Sequence, residues 1–154
     1  MATLFEDRVA AHRPPPGFRP LQGLRGLVED NGPVFAKRED DGSMVFGCRI
    51  LPNMCNPMDV AHGGWIATLC DVSLPLAARL SLPDCVQNFL LTVNLSVDYL
   101  AGAKLGEWVE CRARILKRTK RLLFIDGLLT VDGAPVARAS GVFRIGPEGT
   151  DVIF

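Results

Sequence analysis

The chain has 154 residues, of which 48% are apolar and 7% aromatic, so it is long enough to form one domain with a sizeable core. Its 17 basic and 17 acidic residues cancel, which leaves no overall positive field of the kind that draws a protein to DNA or RNA. It has no run of about 18 apolar residues that would span a membrane, and its N-terminus lacks the apolar segment of a secretory signal. We therefore expect a cytoplasmic protein without a nucleic-acid partner or a membrane span.

The N-terminal part is predicted to be an extension covering residues 1–32, followed by the main domain at 33–154. Residues 3–11 have the apolar spacing of a short helix. The Arg-Pro-Pro-Pro-Gly run at 13–17 then stops regular structure and is predicted to be a tether. Residues 21–30 again show helical spacing and predict a second short helix, although each of two internal glycines weakens it by about 1 kcal/mol relative to Ala.

The main domain begins with two predicted strands, at 33–39 and 43–51, which flank an Asp-Asp-Gly hairpin turn. Apolar residues then recur at three- and four-residue steps from Gly63 to about Leu80. This spacing predicts one long, largely buried helix.

Four more strand candidates follow this helix, at 90–100, 107–117, 122–131 and 135–145. In the first of them strict alternation predicts a core face and a polar face, with Val93, Leu95, Val97 and Tyr99 on the former and Thr92, Asn94, Ser96 and Asp98 on the latter. Two strands, a helix and four strands predict an α+β domain in which a single antiparallel sheet of about six strands wraps one helix.

The segment before and within the long helix carries the most chemical information. It contains His62, Gly63 and Gly64 at the helix start, where backbone N–H groups have no intrahelical partner and glycines let a ligand oxygen approach them. Asp71 lies eight residues past Gly63, or about 12 Å along a helix axis. Its neighbours are apolar, and a carboxylate in such a setting is costly unless a hydrogen bond or a function explains it.

The pattern N-x5-H-G-G-x6-D, from Asn56 to Asp71, resembles the hotdog-fold acyl-CoA thioesterases, in particular the PaaI-like branch of the 4-hydroxybenzoyl-CoA thioesterase superfamily. The segment at 91–100 and the turn at 103–107 resemble the third strand of that family and the turn after it. The likeness covers roughly residues 33–146. One departure is Asp59, because the family often has Gly there, and Asp adopts a positive φ less readily.

The resemblance implies a hotdog fold and hydrolysis of an acyl-CoA substrate. We expect no cofactor and no metal. By match, Asn56 and the His62-Gly63-Gly64 turn surround the thioester carbonyl, and the Gly63 N–H faces the developing oxyanion. Asp71 is the nucleophile or the general base, and Thr92 helps to hold the attacking water. The family's site is shared across a dimer interface, so we expect a homodimer or a tetramer.

Each site residue also has a structural interpretation, which the sequence leaves open. Asp71 could be a core carboxylate satisfied by Ser73 or Thr68. His62 could be a turn residue that bonds the backbone, and we expect it to position the turn rather than transfer a proton. Asn56 could cap the turn through its side chain.

The basic run at 117–121 lies at a predicted hairpin turn. Arg118, Lys120 and Arg121 could hold the phosphates of CoA by charge-assisted hydrogen bonds, or they could simply be solvated. For the whole protein, the alternatives to a thioesterase are a catalytically silent module that binds acyl-CoA and a hydratase on the same fold. A hydratase needs a His and acid pair, and the His-Gly-Gly turn does not resemble that arrangement.

Five cysteines are present, an odd number, and none of them forms a C-x-x-C pair. With only two histidines in the chain, a zinc site is poorly supported. We expect reduced, buried thiols.

Overall fold

The computed structural model describes residues 4–149. Its three helices are α1 (Leu4–His12), α2 (Leu27–Asn31) and α3 (Gly63–Ser81). Its strands are β1 (Arg19–Pro20), β2 (Phe35–Arg38), β3 (Met44–Arg49), β4 (Asn88–Tyr99), β5 (Trp108–Arg118), β6 (Leu122–Val131) and β7 (Ala134–Glu148). The predicted α+β class is confirmed, and α3 and the last four strands lie within three residues of their predicted bounds at each end.

All strands belong to one antiparallel sheet in the order β1-β2-β3-β5-β6-β7-β4. The long helix α3 lies against one face of this sheet, and its side chains Leu69 and Leu74 are fully buried in a core that includes Ile125 and Phe143. The sheet therefore wraps one helix, as the sequence predicts. The strand β4 lies at one edge of the sheet, which becomes important for the site.

The strand count is seven rather than about six, because the N-terminal extension supplies one strand just after the predicted tether at 13–17. After the proline run, β1 pairs with β2, with Arg19 opposite Ala36 and Pro20 opposite Phe35. Proline is tolerated in such a strand because it lies at the sheet edge, where its missing N–H breaks no ladder.

The second predicted helix is shorter than expected and begins later. Instead of residues 21–30 it covers only Leu27–Asn31. Gly23 has a φ of 83° and Gly26 a φ of 65°, which is the left-handed region that an α-helix excludes. The apolar spacing therefore indicated a helix in this region correctly, but Gly23 and Gly26 form bends before the helix and are not part of it.

The N-terminal segment packs on the face of the sheet that points away from α3. Phe18, Phe35, Val45 and Trp108 form a small second cluster there, against which Val9 of α1 packs. Arg49 of β3 links the N-terminal segment to the sheet by two hydrogen bonds. Its Nε donates to the carbonyl of His12 at 2.6 Å, and its Nη2 donates to the carbonyl of Arg13 at 2.9 Å.

His12 is fully buried at this junction, where its Nδ1 accepts a hydrogen bond from the backbone N–H of Arg49 at 3.2 Å. Burial, with a smaller contribution from the Arg49 charge, lowers the pKa of His12 from 6.5 to about 4. Below pH 6.5, His12 binds a proton in the unfolded chain but stays neutral in the folded chain. The contribution of His12 to the free energy of unfolding is therefore complete above pH 6.5, and it is lost progressively as the pH falls to about 4.

We therefore expect the free energy of unfolding to fall by about 1 kcal/mol between pH 7.5 and pH 5.5, above the range in which carboxylates titrate. Urea unfolding at the two pH values measures this difference. His12→Asn offers an acceptor for the Arg49 N–H without an imidazole, so its stability should be lower at both values but nearly independent of pH. An unchanged pH dependence in that variant would contradict the assignment to His12.

All five cysteines are free thiols, as expected, and four of them are buried. Burial raises the pKa of the Cys48 and Cys70 thiols to about 12. Within residues 4–149, no helix is long and apolar enough to cross a bilayer, and no group of three or more His, Cys, Asp or Glu side chains could hold a metal ion.

Candidate active site

The turn that precedes α3 is organised by Asn56. Its Oδ1 accepts hydrogen bonds from the backbone N–H groups of Met58, at 2.9 Å, and Val60, at 3.4 Å. The side-chain oxygen is thus used to cap the turn, which leaves the amide NH₂ as the group able to donate to a ligand. Asp59 has a φ of 55° in this turn, so the departure from Gly falls at a position that does require the left-handed region.

His62 caps the first turn of α3. It has an extended backbone, and its Nδ1 accepts the N–H of Gly64 at 3.1 Å. In the part of the chain that the structure describes, the Gly63 N–H donates to no protein acceptor. The two glycines are therefore not equivalent, because Gly64 gives its N–H to the cap while Gly63 keeps an N–H for a ligand.

Tyr99, at the end of β4, supports the same turn. Its hydroxyl donates to the carbonyl of Gly63 at 2.9 Å, and a Cβ at residue 63 would lie 3.2 Å from the ring. The sequence predicted Tyr99 only as part of a core face, whereas it is 56% exposed and contacts the helix start. The sequence contains no signal of this contact, because Tyr99 only continues the alternation of the strand and lies 36 positions from Gly63.

Asp71 and Thr92 form the second half of the site. The Thr92 hydroxyl donates to Oδ1 of Asp71 at 2.7 Å. The expectation that Asp71 has an apolar setting is wrong, because Asp71 is exposed. Leu69 and Leu74, by contrast, are fully buried in the core. The carboxylate therefore has a hydrogen bond and open access, and no burial penalty needs explaining.

A bulge in β4 brings Thr92 to this side of the sheet. The register against β7 shifts between Thr92 and Asn94. Thr92 pairs with the buried Phe143, and after the shift Leu95 pairs with Gly141 on the same face. The predicted strict alternation, which placed Thr92 on the polar face and Val93 in the core, is wrong because the extra residue at 93 reverses the parity. Val93 is 61% exposed.

Asp71 and Thr92 line a cavity of about 570 Å³, together with residues of α3, β4 and the segment before β2. Gly63 and Tyr99 line a separate depression of about 300 Å³. Within one chain, the structure thus brings together Asp71 with Thr92, and Asn56 with His62, Gly63 and Gly64. It does not bring the two groups to one place.

Cys70 does not compete with Asp71 as a nucleophile. It is buried in the core, where loss of solvent and the adjacent Asp71 charge raise the pKa of its thiol to about 12. The thiolate is the reactive form, so this cysteine is inert near neutral pH.

The basic turn after β5 lies outside this cavity. Arg118 forms a two-pronged ion pair with Asp84, its Nη1 lying 2.9 Å from Oδ1, and the hydrogen bonds from Arg118 lower the pKa of that carboxyl. Lys120 and Arg121 are exposed, and none of the three lines the cavity that holds Asp71. Their role in binding CoA phosphates stays a prediction, and Arg118 would have to leave its partner to take part.

Comparisons with known proteins bear on the family and the fold of this chain. A family model described as the thioesterase superfamily matches residues 58–136. A Pseudomonas aeruginosa protein described as a candidate esterase is 34% identical over 85% of this chain and 96% of its own length. A Bacillus halodurans protein, whose crystal structure was determined with CoA, matches this chain with a TM-score of 0.65. Its sequence is 25% identical, and the match covers 74% of each chain. The Escherichia coli PaaI protein has the same fold, with a TM-score of 0.65 at 17% identity over 75% of this chain and 80% of its own.

Proposed function

Because this chain belongs to the thioesterase superfamily, we propose that it hydrolyses acyl-CoA thioesters to a free acid and CoA, with Asp71 as the general base. The observation that carries this proposal is the 2.7 Å hydrogen bond from Thr92 to an exposed Asp71 carboxylate on the wall of a cavity of about 570 Å³. A carboxylate that is fixed on one oxygen and open on the other is suited to accept a proton from water.

In this mechanism Thr92 and Asp71 hold one water molecule between them. The Thr92 hydrogen is committed to Oδ1 of Asp71, so the lone pairs of its oxygen are available to accept from that water. The water oxygen attacks the thioester carbonyl while its proton passes to Asp71. When the C–S bond breaks, the same proton passes to the departing sulfur, and the carboxylate is restored.

The oxyanion formed in this step needs a donor, and the Gly63 N–H at the start of α3 is suited to that role. An isolated oxyanion donor is worth roughly 3 to 4 kcal/mol in the transition state, and the N-terminal dipole of a 19-residue helix adds to it. Gly63 and Asp71 lie about 12 Å apart along the helix axis. We therefore propose that the Gly63 of one subunit and the Asp71 of another complete each site.

The edge strand β4 supplies the surface for such a dimer. It is 12 residues long, and within residues 4–149 no strand pairs with its outer side. Phe89, Leu91 and Val93 are between 40% and 61% exposed. An apolar edge with unpaired backbone groups favours pairing with a second strand, and pairing with the same strand of another copy gives a closed two-fold dimer.

We expect light scattering at micromolar concentration to give at least twice the chain mass of 16.7 kDa. Val93→Lys places a charge on the edge and should shift the protein toward the monomer, with a loss of hydrolysis in the same proportion. A stable wild-type monomer that hydrolyses acyl-CoA would refute the shared site.

Release of CoA, followed with a chromogenic thiol trap, tests the activity itself. We expect many turnovers per site with at least one acyl-CoA. Stoichiometric binding without release would instead support the alternative, a module that binds acyl-CoA without hydrolysing it. Single turnover in ¹⁸O-water tests the nucleophile role of Asp71, since label in the Asp71 carboxylate would show that it attacks the carbonyl and that water then attacks the aspartyl carbon of the anhydride.

A further inference from the structure

The cavity beside Asp71 has the character of an acyl site. It runs along α3 from Asp71 to Arg79, which is about 12 Å at 1.5 Å per residue. Its volume of about 570 Å³ is several times that of a cavity of about 150 Å³, which is enough for benzene. Its walls carry apolar side chains from three parts of the chain, among them Leu24, Val28, Val72, Leu76, Phe89 and Leu90, and they also include two basic residues, Arg25 and Arg79.

The position of Asp71 decides which part of the substrate enters this cavity. Under the proposed function, the thioester carbonyl lies beside Asp71 and Thr92, so either the acyl arm or the CoA arm must extend from there along α3. The CoA arm carries amides and phosphates, which the apolar side chains along this lining would leave without partners. The guanidinium of Arg79, at the far end, already donates to the carbonyl of Val86. An acyl chain gains roughly 0.8 kcal/mol for each CH₂ removed from water. The lining therefore favours the acyl arm.

One wall of this cavity comes from the N-terminal segment at 23–28. Leu24 and Val28 line the cavity and also pack on the main core. This wall is supported from behind by α1, because Phe5 lies with Leu24 and Val28 around a small adjoining cavity and Arg8 donates to the carbonyl of Glu29. The side chain of Leu27, one residue from Val28, points elsewhere and is 62% exposed.

We propose that the segment at 23–28 is the wall that sets the size of the acyl group, and that the substrates are thioesters of apolar acyl groups of medium length. This inference rests on the proposed function for the position of the thioester. Leu24 and Val28 act as specificity determinants, since they limit the space beyond Asp71 without touching the reacting atoms.

The test is a set of variants assayed with straight-chain acyl-CoAs from acetyl to palmitoyl. Val28→Trp fills the cavity and should lower kcat/KM for the best wild-type substrate by at least about tenfold relative to a shorter one. Leu24→Ala opens the wall and should move the optimum to longer chains. Leu27→Trp is the matched control, which adds the same side chain on the outer side of α2 and should leave the chain-length profile unchanged.

Affinity measured by calorimetry in an Asp71→Asn background gives a readout that does not depend on hydrolysis. We expect the variants to move the chain-length dependence of binding in the same directions. If hydrolysis is absent but Val28→Trp still shifts binding toward shorter acyl chains, the proposed function is wrong and the assignment of the wall is supported. If the profile is the same for Val28→Trp, Leu24→Ala and Leu27→Trp, the wall is wrong, even when the wild type is an active thioesterase.

Discussion

Asp71→Asn is expected to lower kcat for acyl-CoA hydrolysis by at least about a hundredfold, which is the contribution of a positioned base. The amide keeps the size of the side chain and can still accept the Thr92 hydrogen bond, but it accepts no proton from water and attacks no carbonyl. Affinity for the substrate should be retained. Release of CoA into a thiol trap gives the rate, and calorimetry with an acyl-CoA gives the affinity.

Stability should change by less than about 0.5 kcal/mol in this variant, because Asp71 is exposed and contributes no buried charge to the fold. Asp98→Asn is the matched control. Asp98 is exposed like Asp71, but it lies on β4 rather than on α3, and it pairs with Arg138 at 2.7 Å, away from the cavity. If Asp71→Asn hydrolysed as fast as Asp98→Asn, the base would have to be another group and the binding-module alternative would gain support.

The fold was readable from the sequence wherever hydrophobic spacing and turn chemistry agree. The three- and four-residue steps after Gly63 predicted α3, and the Asp-Asp-Gly turn, with Gly42 at a φ of 83°, predicted the first hairpin. The extra residue at Val93 could not be read in this way, because a bulge depends on how one strand pairs with another. The two bends at Gly23 and Gly26 were missed because the apolar spacing around them is helical.

The candidate site shows the same division between local and distant contacts. The His62 cap and the Asn56 turn involve residues within four positions of each other, and their residue types already indicate such bonds. The Tyr99 bond to Gly63 spans 36 positions. The wall at 23–28 meets Asp71 only through the folded sheet and helix. Contacts of this kind leave no periodic signal, so the sequence assigned Tyr99 to a core face and the segment at 21–30 to a helix without a function.

Gly63→Pro should lower turnover by about a hundredfold or more while leaving acyl-CoA affinity largely intact, because the lost N–H is aimed at the oxyanion of the transition state. The structure indicates that the backbone accepts this change. Gly63 is the first residue of α3, where proline is favoured. His62 before it has a ψ of 136°, the extended conformation that a residue preceding proline adopts.

Gly63→Ala separates the donor from the added bulk. Alanine and proline both place a Cβ about 3.2 Å from the Tyr99 ring, so both require that ring to move by a few tenths of an ångström, but alanine keeps the N–H. We therefore expect Gly63→Ala to retain most of the turnover that Gly63→Pro loses, with similar melting temperatures for the two variants. Equal losses in both would assign the effect to the Tyr99 contact. A fall in affinity with unchanged turnover in Gly63→Pro would make Gly63 a substrate-binding residue, since only a donor specific to the transition state lowers kcat alone.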